Sequence, residues 1–164
     1  PPSAPSTPLK IGLDDYRALA AFRYEIRCFL AFSEQAARAV GIEPQQHQLL
    51  LATRGLPAGA RPNIRTLAER LCVQHHTAVA LVDKLERRGL VRRQRSKLDK
   101  REVLVRITPG GARLLRELSH LHRARLQQAG PELVSVLSSI VAGLGAGPAE
   151  AWPGEAWPAR AQTA

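Results

Sequence analysis

The first fifty residues show a helical pattern of apolar positions. Asp14 or Asp15 can cap a first helix, and Gly41 is typical of its end. Pro44 fits the first turn of a second helix, and the stretch 54–62 (RGLPAGARP) indicates a loop. The amphipathic face of the first helix repeats every three to four positions, at Leu19, Phe22, Ile26, Phe29, Leu30, Ser33, Ala37 and Val40.

Two shorter helices are predicted next. Asn63 can cap a third helix, and a short break at Cys72 and Val73 separates it from a fourth helix over 74–88. Gly89 is a natural stop for that fourth helix. A pair of helices joined by so short a break indicates a helix-turn-helix.

The period then changes from helical to alternating. Strands are predicted over 90–95 and 102–107, with the polar tip SKLDKR between them, so this segment predicts a β-hairpin. In the second strand, alternation predicts one apolar face, made by Val103, Val105 and Ile107.

The remaining part of the pattern is helical again. Thr108 followed by Pro109 supplies a capping hydroxyl and a proline suited to the first helical position, which marks the start of a fifth helix. Gly130 and Pro131 predict an interruption, after which a sixth helix follows. The fold class predicted is therefore mainly α with a small β-hairpin, a winged helix-turn-helix joined to further helices.

The net charge of the chain indicates the class of its binding partner. The chain has 164 residues, with 24 Lys and Arg against 14 Asp and Glu, a net charge of +10. Such a surplus favours a polyanion, either nucleic acid or an anionic membrane. No apolar run approaches the roughly 20 residues that span a bilayer, and we expect no signal peptide at the start PPSAPSTP. Two cysteines, Cys28 and Cys72, make no disulfide framework and fit a cytoplasmic protein.

The positive charge is concentrated in the predicted hairpin. Residues 87–106 hold nine Lys and Arg, interrupted only by Asp99 and Glu102. A basic cluster of this kind neutralises DNA phosphates and releases counterions. The alternative is that the cluster is only a solvated basic face. Its position directly after a helix-turn-helix favours double-stranded DNA as the partner. The aromatic content of 4% argues against a stacking platform for single strands.

Three sequence blocks carry a family resemblance. They are TLAERL (66–71), HTAVALVDKLERRGLVRR (76–93) and DKREVLVRITPGG (99–111). Together they resemble the MarR family of multiple-antibiotic-resistance regulators, in organisation over 15–141. The resemblance implies a homodimer built by the first, fifth and sixth helices, with a recognition helix in the major groove and a wing in the adjoining minor groove. It also implies a palindromic operator and, often, an effector that weakens binding, in a transcriptional regulator that is most often a repressor.

On that basis the chain divides into five parts. They are a disordered arm (1–10), the dimerisation helix with the second helix (11–54), the winged helix-turn-helix (55–110), the C-terminal dimerisation helices (111–144) and a low-complexity tail (145–164).

The expected DNA contacts lie on the fourth helix and the hairpin. Val79 and Ala80 cannot hydrogen-bond a base edge, although they can contact a thymine methyl. Alternation places Asp99 on the same side as Arg101, where its carboxylate can hold the guanidinium that enters the minor groove. The full predicted set is His75, His76, Thr77, Val79, Ala80, Lys84, Arg88, Arg95, Lys97, Asp99, Lys100 and Arg101.

An effector pocket is expected between the dimer helices and the winged domain, by the same resemblance. Tyr24, Arg27, Cys28 and His47 are polar or reactive groups on helices that line it. A cationic Arg27 beside His47 suits a small aromatic acid or a phenol.

Alternative functions remain open at this point. Cys28 lies on the helix from which one branch of the family senses organic hydroperoxides, so an oxidant-sensing regulator is one alternative. An architectural DNA-coating protein with little sequence preference is another. A third, an enzyme acting on nucleic acid, lacks any catalytic constellation in the sequence. We therefore predict neither an enzyme nor a cofactor.

A metal site is also not expected. Cys72, His75 and His76 supply no four-ligand set, and His120 and His122, two apart on a helix, do not face one another.

Overall fold

A computed structural model of the chain describes residues 11–96 and 101–143. The predicted arm and tail, together with Lys97, Asp99 and Lys100 of the wing, lie outside these residues. The described part is mainly helical with one small antiparallel hairpin, as predicted. Its elements, in chain order, are α1 (Leu13–Ala39), α2 (Pro44–Arg54), α3 (Ile64–Leu71), α4 (His75–Arg87), β1 (Val91–Arg95), β2 (Val103–Ile107) and α5 (Pro109–Gly143).

The first helix begins slightly earlier than the sequence predicts. Gly12 is its N-cap, and the helix already includes Asp14 and Asp15. Asp15 still stabilises this end, because its carboxylate accepts a hydrogen bond from the Gly12 N–H at 2.7 Å. Gly41, with φ of +76°, ends the helix as expected.

The helix-turn-helix has the predicted local chemistry. The Asn63 side chain caps α3 by accepting from the Thr66 N–H at 2.9 Å. Cys72 adopts a left-handed conformation, with φ of 53°, so the chain can turn directly into α4. Gly89, with φ of +67°, ends the turn after α4 and starts the hairpin.

The second hairpin strand has a buried residue on each face rather than on one face only. Val105 is fully buried as predicted, but Val103 is 38% exposed and Leu104 only 6%. Leu104 is covered because the loop before α3 runs beside the strand. The Val105 N–H donates to the Pro62 carbonyl at 2.7 Å, and Asn63 bridges to Leu104. A third extended segment at residues 62–63 therefore flanks the hairpin, and the alternation rule fails at Leu104.

The predicted break between a fifth and a sixth helix is wrong. One continuous helix, α5, passes through Gly130 and Pro131. Proline removes one backbone hydrogen bond, and its ring also clashes with the Cβ of the preceding residue. Because Gly130 has no Cβ, part of that clash is absent and the helix continues.

The core lies where α2 and α4 meet the hairpin and the ends of α1 and α5. Its fully buried side chains include Ile42, Leu49, Leu50, Leu67, Val82, Leu85, Val105 and Leu118. The longer helices α1 and α5 pack against each other. None of the helices within 11–96 and 101–143 is long and apolar enough to cross a membrane.

Candidate nucleic-acid interface

The fourth helix has one face in the core and one face in solvent. Its buried face consists of Ala78, Leu81, Val82 and Leu85. Thr77 and Val79 are half-buried at the edge of that face. The exposed face holds the remaining residues predicted to contact DNA, which are His75, His76, Ala80, Lys84 and Arg88. The core therefore fixes the rotation of α4, so that the predicted reading residues of its first turn face outward.

Arg88 has a contact within the fold. Its Nη1 donates to the Gly41 carbonyl at 2.6 Å and approaches the Gln46 amide oxygen at 3.5 Å. These bonds hold the C-terminal end of α4 against the turn between α1 and α2. Arg88 therefore stabilises the domain from the far end of α4, and its predicted phosphate contact stays a prediction.

The wing is attached to α4 by Arg93. Its guanidinium lies 2.5 Å from Asp83 Oδ1 and also donates to Glu86, while its backbone N–H donates to Glu86 Oε1 at 2.7 Å. This backbone hydrogen bond is the main reason that the pKa of Glu86 is lowered. The bonds fix the start of the wing relative to the helix that precedes it.

A second attachment holds the other strand. Arg61 Nη2 lies 2.6 Å from Glu102 Oε2, and the Asn63 amide donates to Glu102 Oε1 at 2.8 Å. Arg61 also donates to the Ser96 hydroxyl. The Glu102 carboxylate, which in the sequence only interrupts a basic run, therefore connects the wing to the loop before α3.

These positioning residues were not identified from the sequence. The sequence does contain an indication of the attachment through Arg93. Asp83 and Glu86 are three residues apart near the end of a helix, and a basic strand follows directly. Nothing local in the sequence relates Arg61 to Glu102, which is 41 residues later.

The wing tip is described only in part. Arg95 and Arg101 are both exposed, at the two ends of the hairpin nearest the tip. The predicted pairing of Asp99 with Arg101 involves a residue outside the described ones and stays a prediction.

The four residues predicted to line an effector pocket are not brought together within one chain. His47 is buried, whereas Tyr24 and Arg27 are exposed and Cys28 is half-buried. The pKa of the Tyr24 hydroxyl is raised, mainly by its interaction with the Cys28 thiol one turn later on α1.

A cavity of about 400 Å³ lies beside His47, between α2 and α5. The ring of His122 stands 4.7 Å from that of His47, measured between centroids, and its Nε2 lies 2.8 Å from the Ser33 hydroxyl. Burial, and then the nearby His122, lowers the pKa of His47 to about 4. The cavity is lined by His47, Leu51, Ser119, His122, Arg123, Leu126 and Gln127.

His122 was considered in the sequence only as a metal ligand, and the structure places it in this cavity wall. Among the described residues there is no group of three or more His, Cys, Asp or Glu that could hold a metal ion.

Comparison with known proteins agrees with this geometry. Residues 40–102 match the sequence model of the MarR family. An uncharacterised HTH-type transcriptional regulator of Bacillus subtilis, YkoM, is 29% identical over 118 residues, which cover 69% of this chain and 73% of that protein.

Solved structures share the fold. AbsC, a MarR-family transcriptional regulator of Streptomyces coelicolor, is 17% identical with a TM-score of 0.65, covering 83% of this chain and 93% of its own. Sco3205 of the same organism, solved in complex with DNA, is 20% identical with a TM-score of 0.63, covering 85% and 90%. CouR of Rhodococcus jostii, solved with p-coumaroyl-CoA, is 24% identical with a TM-score of 0.60, covering 80% and 95%.

Proposed function

We propose that the chain is a transcriptional regulator of the MarR family, which its sequence and fold resemble, and that it represses transcription by binding a palindromic operator in double-stranded DNA as a homodimer. The observation that carries this proposal is the attachment of the wing to α4 through Arg93. A helix for the major groove and a basic hairpin for the minor groove are thereby held in one fixed arrangement. We place this activity in the bacterial cytoplasm, where the operator DNA is.

In this proposal the first turn of α4 enters the major groove. His75, His76 and Thr77 are the polar residues there that can donate or accept hydrogen bonds at base edges. Val79 and Ala80 contact thymine methyl groups, and Lys84 contacts a phosphate. Because few side chains of α4 can hydrogen-bond base edges, part of the sequence specificity comes from the wing, whose Arg101 enters the narrow minor groove.

Exposed apolar side chains on α1 and α5 support the homodimer. Monomeric proteins seldom expose so large a contiguous set of apolar residues, and a second copy related by a two-fold axis would bury it. On the α1 side these are Ile11, Leu13, Tyr16, Leu19, Tyr24 and Leu30. On α5 they are Leu121, Leu126, Val134, Leu137 and Val141.

The cavity beside His47 is the effector site in this proposal. Its wall combines apolar leucines with two imidazoles and the cationic Arg123, which suits a small aromatic acid or a phenol. Arg123 takes the role that the sequence suggested for Arg27. Because α2 and α5 both line the cavity, an occupant there can change the angle between the dimer helices and the DNA-binding elements.

The proposal is tested by selecting duplexes from a random pool with the purified chain. We expect enrichment of one inverted repeat, bound by a dimer, with half-sites about one helical turn apart, ~34–36 Å. Aromatic acids such as salicylate, and phenol itself, are then titrated into the complex, and release of DNA supports the effector site. Recovery of unrelated sequences would contradict the proposal and favour the architectural alternative. A monomer in sedimentation at micromolar concentration would contradict the homodimer.

A further inference from the structure

The hairpin has a basic cleft on the face that points away from α4. This outer wing cleft has a volume of about 300 Å³ and lies between the hairpin and the loop segment 60–62. Its polar lining comes from Arg61, Gln94, Arg95, Ser96 and Arg106. None of the described lining residues belongs to α4, and Arg95 is the one member of the lining that is also among the residues predicted to contact DNA.

Two arginines of like charge face each other beside the cleft. Arg92 on β1 is the direct cross-strand partner of Arg106 on β2, and both are exposed. Side chains directly opposite on an antiparallel pair have Cβ atoms about 4.5–5.5 Å apart, and like charges there destabilise the sheet. Repulsion between Arg92 and Arg106 therefore lowers the stability of the hairpin.

The carboxylates that the structure describes near the wing are bound to other arginines. Asp83 and Glu86 are bound to Arg93, and Glu102 is bound to Arg61. Within the described residues, Arg92, Arg95 and Arg106 form no ion pair with any acidic side chain. These acids therefore hold the wing in place, while Arg95 and Arg106 in the lining of the cleft, and Arg92 beside Arg106, are exposed cations.

We propose that the outer wing cleft binds phosphates of the DNA that flanks the operator, beyond the base pairs read by α4 and the wing tip. The positive charge of the cleft is complementary to a phosphate backbone, and its lining includes Arg95, which is among the residues predicted to contact DNA. Arg, Gln and Ser are side chains that commonly contact phosphate oxygens without reading sequence. The inference rests on the proposed DNA-binding function and extends the contacted length of DNA on each side.

The test compares two duplexes that carry the same selected operator. The short one ends at the base pairs under the wing tips, and the long one has about one further helical turn, ~10 bp, on each side. For the wild type we expect several-fold tighter binding to the long duplex and a steeper dependence of affinity on salt. The double variant Arg92→Ala/Arg106→Ala should lose that advantage, with a salt slope smaller by about 0.9 for each phosphate that the variant no longer neutralises.

A charge-matched control is Arg113→Ala/Arg116→Ala, which removes two exposed cations of α5 outside the cleft. It should keep the preference for the long duplex. The single variant Arg106→Glu gives a second readout: its melting temperature should stay the same or rise, because Arg92 gains an opposite charge, while the preference for the long duplex disappears. A melting temperature that falls clearly would contradict the repulsion on which the inference depends.

Three outcomes overturn the inference. Equal binding of both duplexes by the wild type would show that the flanks are not contacted, and a preference that survives in the cleft variant would place the contact elsewhere. Binding of inorganic pyrophosphate without DNA, lost in Arg106→Ala while both duplexes bind equally, would assign the cleft to a free phosphorylated ligand. If the wild type selects no operator at all, the proposed function fails instead, which is a distinct result.

Discussion

The guanidinium of Arg93, on the first strand of the wing, lies 2.5 Å from the carboxylate of Asp83 on α4. Glu86, one turn further along α4, binds the same guanidinium and the Arg93 backbone N–H. The wing and α4, which we propose enter neighbouring grooves of one DNA segment, are thus joined through Arg93. Together with the contact between Arg61 and Glu102, these bonds hold the two strands of the hairpin against the helix-turn-helix.

Arg93→Ala should lower both stability and DNA affinity. The side chain is only partly buried, so we expect a loss of about 1–2 kcal/mol in the free energy of unfolding, from charge-assisted hydrogen bonds partly screened by water. Urea unfolding measures that loss. Operator affinity, measured without denaturant at a temperature where the variant is folded, should also fall, because the wing is no longer held. Arg113→Ala, which removes an exposed arginine of α5, is the control, and an equal loss of affinity in both variants would contradict the positioning role.

His47 should make the fold less stable in mild acid. Its pKa in the folded chain is about 4, against about 6.5 in an unfolded chain. The unfolded state therefore takes up the proton first, so stability is complete above pH 6.5 and is lost as the pH falls toward 4. The shift corresponds to about 3 kcal/mol at the acidic limit.

Urea unfolding at intervals between pH 7 and pH 4.5 checks this. His47→Gln should flatten the pH dependence, whereas His120→Gln, at an exposed position on α5, should leave it as in the wild type. A wild-type slope that persists in His47→Gln would show that another group titrates in this range.

Two glycines of α5 should both be sensitive to alanine, for different reasons. A Cβ at residue 130 would meet the ring of Pro131, so Gly130→Ala should destabilise α5 by about 1 kcal/mol or bend it at this point. A Cβ at Gly111 would overlap the Leu90 carbonyl oxygen, so Gly111→Ala forces the backbone apart and should destabilise the fold. Thermal unfolding of the two variants is compared with that of the wild type. Stabilisation by Gly130→Ala would contradict the role given to Gly130 in continuing the helix through Pro131.

Oxidation of Cys28 should not control DNA binding. The thiol is half-buried on α1, and α2 carries no tyrosine. We expect Cys28→Ser to bind the operator like the wild type, before and after treatment with cumene hydroperoxide. A peroxide response that is present in the wild type and absent in Cys28→Ser would establish the oxidant-sensing alternative.

Local sequence signals predicted most of the fold. Caps and breakers such as Asn63, Gly89 and Thr108 act within a few residues, so the helix-turn-helix and the start of α5 could be derived directly. Pro131 led to the wrong prediction of a break in the helix. The effect of a proline depends on the preceding residue, and Gly130, which has no Cβ, removes part of the clash with the proline ring.

The site was only partly predictable for a related reason. The exposed face of α4 follows from helical periodicity, so the reading residues could be proposed from sequence. The bond between Arg61 and Glu102, and the contact of His47 with His122, join residues far apart in the chain. Such pairs depend on how the elements pack, and no local pattern encodes them.

The most direct test of DNA binding by α4 and the wing together is the affinity of Arg101→Ala for the selected operator, measured beside the wild type at one salt concentration. If the two elements bind neighbouring grooves, the variant should lose about 1–3 kcal/mol per half-site while its unfolding curve stays unchanged. Lys84→Ala, expected to remove a phosphate contact of α4, should weaken operator and unrelated DNA by the same factor. An Arg101→Ala dimer that binds the operator with wild-type affinity would contradict the role assigned to the wing.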